Sequence, residues 1–162
     1  ARRVLVIDAD LRWPSLHKLL DVPNGVGLSE ALKGQQFDLP IHRINERLAV
    51  LTAGRPGQAP LAGLTSARME ALVEECATHF DWVLIDTPPV GLMPDAQLLA
   101  RLTRAVVLVI AAGSTPAATV ERAVAELGPD CIIGTVLNRV DDRRIPHADY
   151  YAYYEKDDEA AN

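Results

Sequence analysis

At 162 residues the chain is long enough for one domain with a single sizeable core. Its hydrophobic content of 49% beside 23% charged residues is ordinary for a globular protein, and no apolar run approaches the length of a membrane span. A net charge of −6 excludes a broad nucleic-acid footprint.

Residues 4–8 read as an apolar strand. Trp13-Pro14-Ser15 then opens a helix with Pro14 in its first turn, where the missing N–H costs nothing; Leu16, Leu19 and Leu20 give it an apolar stripe. Residues 21–27, with Pro23, Asn24, Gly25 and Gly27, form a loop, and residues 28–33 a short helix ended by Gly34. A second strand covers residues 48–52, and the Gly- and Pro-rich stretch 53–64 is a loop. Ser66 caps a helix that carries Met69, Leu72, Val73 and Cys76 at helical spacing. A strand ending at Asp86 follows, then a helix over 95–102, a strand over 105–111, a helix over 116–127 closed by Gly128-Pro129, and a last strand over 132–137. Strands alternating with helices predict an α/β fold with a mostly parallel, helix-flanked sheet. Cys76 and Cys131 are far apart and match no metal-ligand spacing, so both read as reduced, buried thiols. They favour the cytoplasm, and the first residues show no signal-peptide pattern.

Two segments carry the chemistry. Val83-Leu84-Ile85-Asp86-Thr87-Pro88-Pro89-Val90 reads as a strand buried on both faces that ends on an aspartate, with two prolines forbidding a helix. Val4-Leu5-Val6-Ile7-Asp8-Ala9-Asp10-Leu11-Arg12 is a second apolar strand running into acid. A single strand-end aspartate is most simply a cap or turn former. Three carboxylates at the carboxyl edge of a parallel sheet, with Arg12 beside them, suit Mg²⁺ and phosphate better. If residues 8 and 10 continue the strand, their side chains project to one side.

These segments, together with Ser15-Leu16-His17, Gly27-Leu28-Ser29, Leu51-Thr52-Ala53-Gly54, Arg68-Met69, Asp95-Ala96-Gln97, Leu137-Asn138 and a C-terminal tyrosine cluster, resemble the catalytic domain of bacterial tyrosine kinases. These are autokinases of capsule and exopolysaccharide synthesis, related to the MinD and ParA branch of P-loop ATPases. The resemblance implies a P-loop NTPase-like fold, with ATP and Mg²⁺ as cofactors. It implies that Asp8 activates the attacking tyrosine hydroxyl, that Asp10 and Asp86 hold the metal, and that Arg12 and Asn138 contact the nucleotide. Asn138 reads equally well as a turn residue ending its strand. Trp13 stands where many relatives have a second basic residue. A glycine-rich loop ending in Gly-Lys-Ser/Thr is not present: Lys18, Lys33 and Lys156 are the only lysines, and none follows a glycine. The expectation is therefore a kinase domain from the second strand of the fold onward over residues 1–140, lacking the P-loop strand and helix. In this superfamily that strand lies beside the one ending at Asp86.

Residues 141–162 hold seven acidic against three basic residues and all four tyrosines, Tyr150, Tyr151, Tyr153 and Tyr154. The segment reads as an acidic tail whose hydroxyls are offered for autophosphorylation, although a helix would place them on one broad face fit for docking. The resemblance further implies a homo-oligomer whose tails enter neighbouring sites, a membrane polysaccharide co-polymerase, a cognate phosphatase, and attachment to the inner face of the cell membrane through a partner or a further N-terminal region. The alternatives are a non-catalytic scaffold docking to such a co-polymerase, and a ParA- or MinD-type ATPase, which would have no use for the tyrosines.

Overall fold

The computed structural model describes residues 2–34, 39–56 and 60–141. Strand β1 (Val4–Asp8) lies inside a four-stranded sheet of order β2-β3-β1-β4. It pairs in parallel with β3 (Leu48–Leu51) on one side and β4 (Trp82–Asp86) on the other, while β2 (Ile41–Arg43) adds an antiparallel edge to β3. A second, two-stranded parallel sheet consists of β5 (Val106–Ala111) and β6 (Ile132–Asn138). The helices are α1 (Leu16–Leu19), α2 (Leu28–Lys33), α3 (Pro60–Leu64), α4 (Ala67–His79), α5 (Asp95–Thr103) and α6 (Ala117–Leu127).

The alternation of strand side chains decides where the core lies. Leu5 and Ile7 of β1, with Ala49 and Leu51 of β3, are buried against Leu28 of α2 and Met69, Leu72 and Cys76 of α4. Helix α4 begins where the Ser66 hydroxyl accepts the Met69 N–H at 3.3 Å, as its cap residue predicts. Burial pushes the Cys76 thiol up to about 11, so it packs as a small apolar group. A smaller core joins Leu108 of β5 to Ala100 of α5 and Leu127 of α6.

Several expectations are corrected. Helix α1 starts at Leu16, and Pro14 lies before it rather than in its first turn. Side-chain oxygens of Asp8 and Asp10 take the amides of residues 10, 12, 13 and 16, which holds the preceding segment in turns. Helix α3 lies in a stretch expected to be loop, and strand β2 in one given no assignment; five and three residues carry too little periodicity to announce themselves. Strand β4 is not buried on both faces. Val83 and Ile85 pack on the main core, whereas Trp82 and Leu84 are half exposed. The reason is topological, because β4 hydrogen-bonds only to β1 among the described strands. Beyond it a groove of about 310 Å³ runs to β5, lined by Ile85, Asp86 and Thr87 on one side and Val106, Val107 and Leu108 on the other.

At the carboxyl edge, the start of α2 is tied to the end of β3. Leu28 N–H donates to the Thr52 carbonyl at 2.8 Å and Ser29 N–H to that of Ala53 at 2.9 Å. Asn24 exchanges two hydrogen bonds with the backbone of Gly54, at 2.8 and 3.0 Å. Gly27 sits so close that a Cβ there would fall on the Thr52 carbonyl and the Gly54 backbone, neither of which can yield cheaply. Gly27→Ala should therefore destabilise the protein by about 1–3 kcal/mol, the usual range for overpacking. Gly25→Ala, which meets nothing within 4 Å, should be close to neutral. Urea denaturation of the two variants side by side tests this, and equal midpoints would contradict it.

Candidate active site

The parallel register places Asp8 directly opposite Asp86, so the last residues of two neighbouring strands bring their carboxylates to one edge. The Ala9 N–H donates to the Asp86 carbonyl at 2.9 Å and extends the pairing one step past the strand. Asp8 is completely buried. Its Oδ1 accepts the Asp10 N–H and its Oδ2 the Leu16 N–H, each at 3.2 Å. Burial raises its carboxyl above the ordinary range; these backbone hydrogen bonds oppose the rise and Asp10 adds to it. Asp8 thus acts as a turn former and at the same time holds a carboxylate of heightened basicity.

Asp10 does not continue the strand. β1 ends at Asp8, and the Asp8–Asp10 hydrogen bond turns the chain, so alternation along a strand is not what gathers the acids. Oδ1 of Asp10 accepts the N–H groups of Arg12, at 3.2 Å, and Trp13, at 2.9 Å. Asp86 remains exposed to solvent, yet its carboxyl is raised, first by the protein packed around it and then by the charges of Asp8 and Asp10. The structure thereby brings together the three acids singled out in the sequence.

Arg12 pairs with a residue that is not among the candidates from sequence. Its Nε donates to Oδ2 of Asp95 at 3.2 Å, and Asp95 is fully buried at the start of α5. Sequence reasoning assigned Asp95 no role, because an aspartate after Pro94 reads as an ordinary first-turn acid. Its one sequence signal was membership of Asp95-Ala96-Gln97. Asn138 ends β6 in the second sheet, where its Oδ1 accepts the Arg139 N–H at 2.8 Å. That contact is local, to the backbone of the next residue. Tyr150, Tyr151, Tyr153 and Tyr154 lie outside the described residues.

Among the described residues, no three His, Cys, Asp or Glu side chains are grouped as ligands for a metal ion. The donor chemistry nevertheless fits Mg²⁺, which is ordinarily held by one or two carboxylates with water and phosphate oxygens completing its octahedron. Asp86 carries a penalty from its two acidic neighbours that a divalent cation would relieve.

No family model matches the chain. It is 30% identical over 160 residues to the tyrosine-protein kinase CpsD of Streptococcus agalactiae, covering 96% of this chain and 70% of CpsD. It is 35% identical over 158 residues to the tyrosine-protein kinase YwqD of Bacillus subtilis, covering 94% of this chain and 65% of YwqD. The chain thus spans about two thirds of the length of either relative. The kinase domain of the Escherichia coli tyrosine kinase Etk superposes with a TM-score of 0.81 at 35% identity, over 88% of this chain and 57% of that domain. MinD of Pyrococcus horikoshii, solved with Mg-ADP, gives a TM-score of 0.65 over 91% of this chain and 63% of its own, and at 21% identity that likeness is one of fold alone. The parallel α/β fold is accordingly that of the P-loop NTPases, and on sequence and structure alike this chain belongs to the family of bacterial tyrosine-protein kinases.

Proposed function

We propose that, in its full-length protein, this chain carries out ATP-dependent protein-tyrosine autophosphorylation in the control of capsular or exopolysaccharide synthesis. The observation that supports this best is the convergence of Asp8, Asp10 and Asp86 on one sheet edge, where desolvation first and then the other two acids raise the carboxyl of Asp86. Phosphoryl transfer asks a protein mainly for positioning and charge neutralisation, and metal-holding carboxylates beside a base supply both. Asp10 and Asp86 would hold Mg²⁺, which when bound neutralises charge on the phosphates. Asp8 would accept the proton of the attacking tyrosine hydroxyl, a task that a burial-raised carboxylate performs better than an ordinary one. Its two oxygens are oriented by backbone amides, so the base has little freedom to turn away.

The groove between β4 and β5 supports a second element of this reading. Strands β4 and β5, whose residues line it on either side, could each pair with one further strand. We place there an extended segment bearing the glycine-rich phosphate loop, whose amides and lysine would oppose the acids across the nucleotide. The tyrosines at 150, 151, 153 and 154 are the proposed phosphate acceptors, presented to neighbouring subunits of a homo-oligomer. Among the described residues no helix is long and apolar enough to cross a membrane. Attachment to the inner face of the membrane is assigned to a co-polymerase partner or to a further N-terminal region.

Asp8→Asn and Asp86→Asn in the full-length protein should each reduce autophosphorylation by at least about 100-fold, as expected when one preorganised charge at the reacting phosphate is lost. Quantitative phosphotyrosine mass spectrometry should find the wild-type signal confined to the four tail tyrosines. Wild-type rates in either variant would overturn the site.

Stability should separate the same two variants. The raised carboxyl of Asp86 means that the folded state binds more protons than the unfolded state just above the unfolded value of 3.8. Its contribution is therefore fully present below that value and lost as pH rises through the folded value. Asp86→Asn removes this loss and should raise the melting temperature at pH 7, with the gain shrinking toward zero as pH falls below about 4. Asp8→Asn relieves a raised carboxyl in the same way but leaves one backbone amide facing an NH₂ group, so its gain at pH 7 should be smaller than that of Asp86→Asn or reversed in sign. Thermal melts from pH 3 to 8 check the sign for Asp86→Asn and the order of the two variants.

A further inference from the structure

Asp95 is a buried ionisable group to which the reaction as proposed gives no task. It is wholly inaccessible, its Oδ2 takes a single hydrogen bond from Arg12, and its Oδ1 has no partner among the described residues. A half-satisfied buried carboxylate is a poor stabilising device, because the desolvation of the ions commonly offsets their attraction and apolar replacements are often as stable. Nor does it cap α5 through its side chain: Pro94 is the capping residue, with no side-chain cap bond. The pair does something else. It bridges the two loops that build the site, joining the turn after β1 to the helix that follows Asp86-Thr87-Pro88-Pro89.

The geometry of the bridge selects what is left over. Asp95 engages Arg12 from the side, through Nε, rather than through the two-pronged end of the guanidinium. Among the described residues the two Nη groups make no hydrogen bond, and the Arg12 side chain retains 29% exposure. The backbone of the same arginine is tied to Oδ1 of Asp10, so its main chain and its side chain are both anchored. An arginine held at Nε with its Nη fork open is prepared for bidentate contact with an oxyanion. The oxyanion that fits this edge is a phosphate of the nucleotide that the three acids and their metal would serve.

We infer that Asp95 is a positioning residue, which fixes the guanidinium of Arg12 across the two site loops so that its Nη fork meets the transferring phosphoryl group. This inference rests on the kinase reading and assigns Asp95 no contact with substrate. It predicts a loss in turnover rather than in folding, because what Asp95 supplies is the placement of the Arg12 fork.

The test is autophosphorylation by the full-length protein, with kcat and KM for ATP measured separately and a melting curve for each variant. Asp95→Leu should lower kcat by about 10- to 100-fold, the range seen when the partner orienting an active-site ligand is removed. Asp95→Asn keeps an acceptor oxygen for Nε and should recover kcat to within a few-fold of wild type. Arg12→Lys retains the charge but has no Nε–H, so it should match Asp95→Leu, and the double variant should be no worse than either single. Arg12 is partly exposed, so that variant serves even if Asp95→Leu does not fold. Wild-type kcat in Asp95→Leu or Arg12→Lys overturns the inference, as do losses that multiply in the double variant. Equal kcat for Asp95→Asn and Asp95→Leu, with only the melting temperature shifted, overturns it in favour of a structural role. A wild-type protein that makes no phosphotyrosine overturns the kinase reading itself, whereas an active wild type with a fully active Asp95→Leu overturns this inference alone.

Discussion

The parallel pairing of β1 with β4, in the register that sets Asp8 opposite Asp86, is the constraint on which the site depends. Five residues on each strand face one another from Val4 and Trp82 to the two aspartates. A slip of one residue would send one acid to the opposite face of the sheet. The register is held by the apolar pattern, since Leu5 and Ile7 must face the same core as Val83 and Ile85. Packing on one face therefore positions charge at the end of the other.

Gathering like charges opposes folding, and the local backbone is arranged to contain that opposition. Both oxygens of Asp8 and one oxygen of Asp10 accept backbone N–H groups, so their positions are set by the turns they make. The turns in turn carry Arg12 to Asp95, which links the β1 loop to α5. On the far side of the sheet the close approach of Gly27 to the end of β3 performs a similar service for the loop before α2. The carboxyl edge is thus held by short-range polar contacts on top of an apolar base formed by Leu28, Leu51 and Ile7.

Strands β4 and β5 stand apart from this order. Val107 and Val109 on β5 and Trp82 and Leu84 on β4 are about half exposed, although their sequences are those of interior strands. Parallel strands with such composition are ordinarily covered on both faces. The exposed apolar surface and the groove of about 310 Å³ lie together between the two sheets.

Much of this was legible in the residues themselves. Apolar runs of five residues ending in aspartate announced β1 and β4, Ser66 announced α4, and Gly34 and Gly128 announced two helix ends, because each signal is local and the tertiary structure leaves it in place. The resemblance of the motifs to tyrosine kinases needed only their order along the chain. What the chain could not announce are contacts between distant segments. The pairing of Arg12 with Asp95 spans 83 residues, and no periodicity connects a loop arginine to a helix-start aspartate. The half-exposure of β4 depends on which strand lies beside it, a property of the sheet and not of Val83-Leu84-Ile85. Even the meeting of Asp10 with Asp8 and Asp86, expected from strand alternation, comes from a turn stabilised by the Asp8 side chain. Residue types and their order determined the family and its chemistry; the relative placement of the charges was decided by the register of the sheet and the turns at its edge, because only there do residues remote in sequence share a local dielectric and a hydrogen bond.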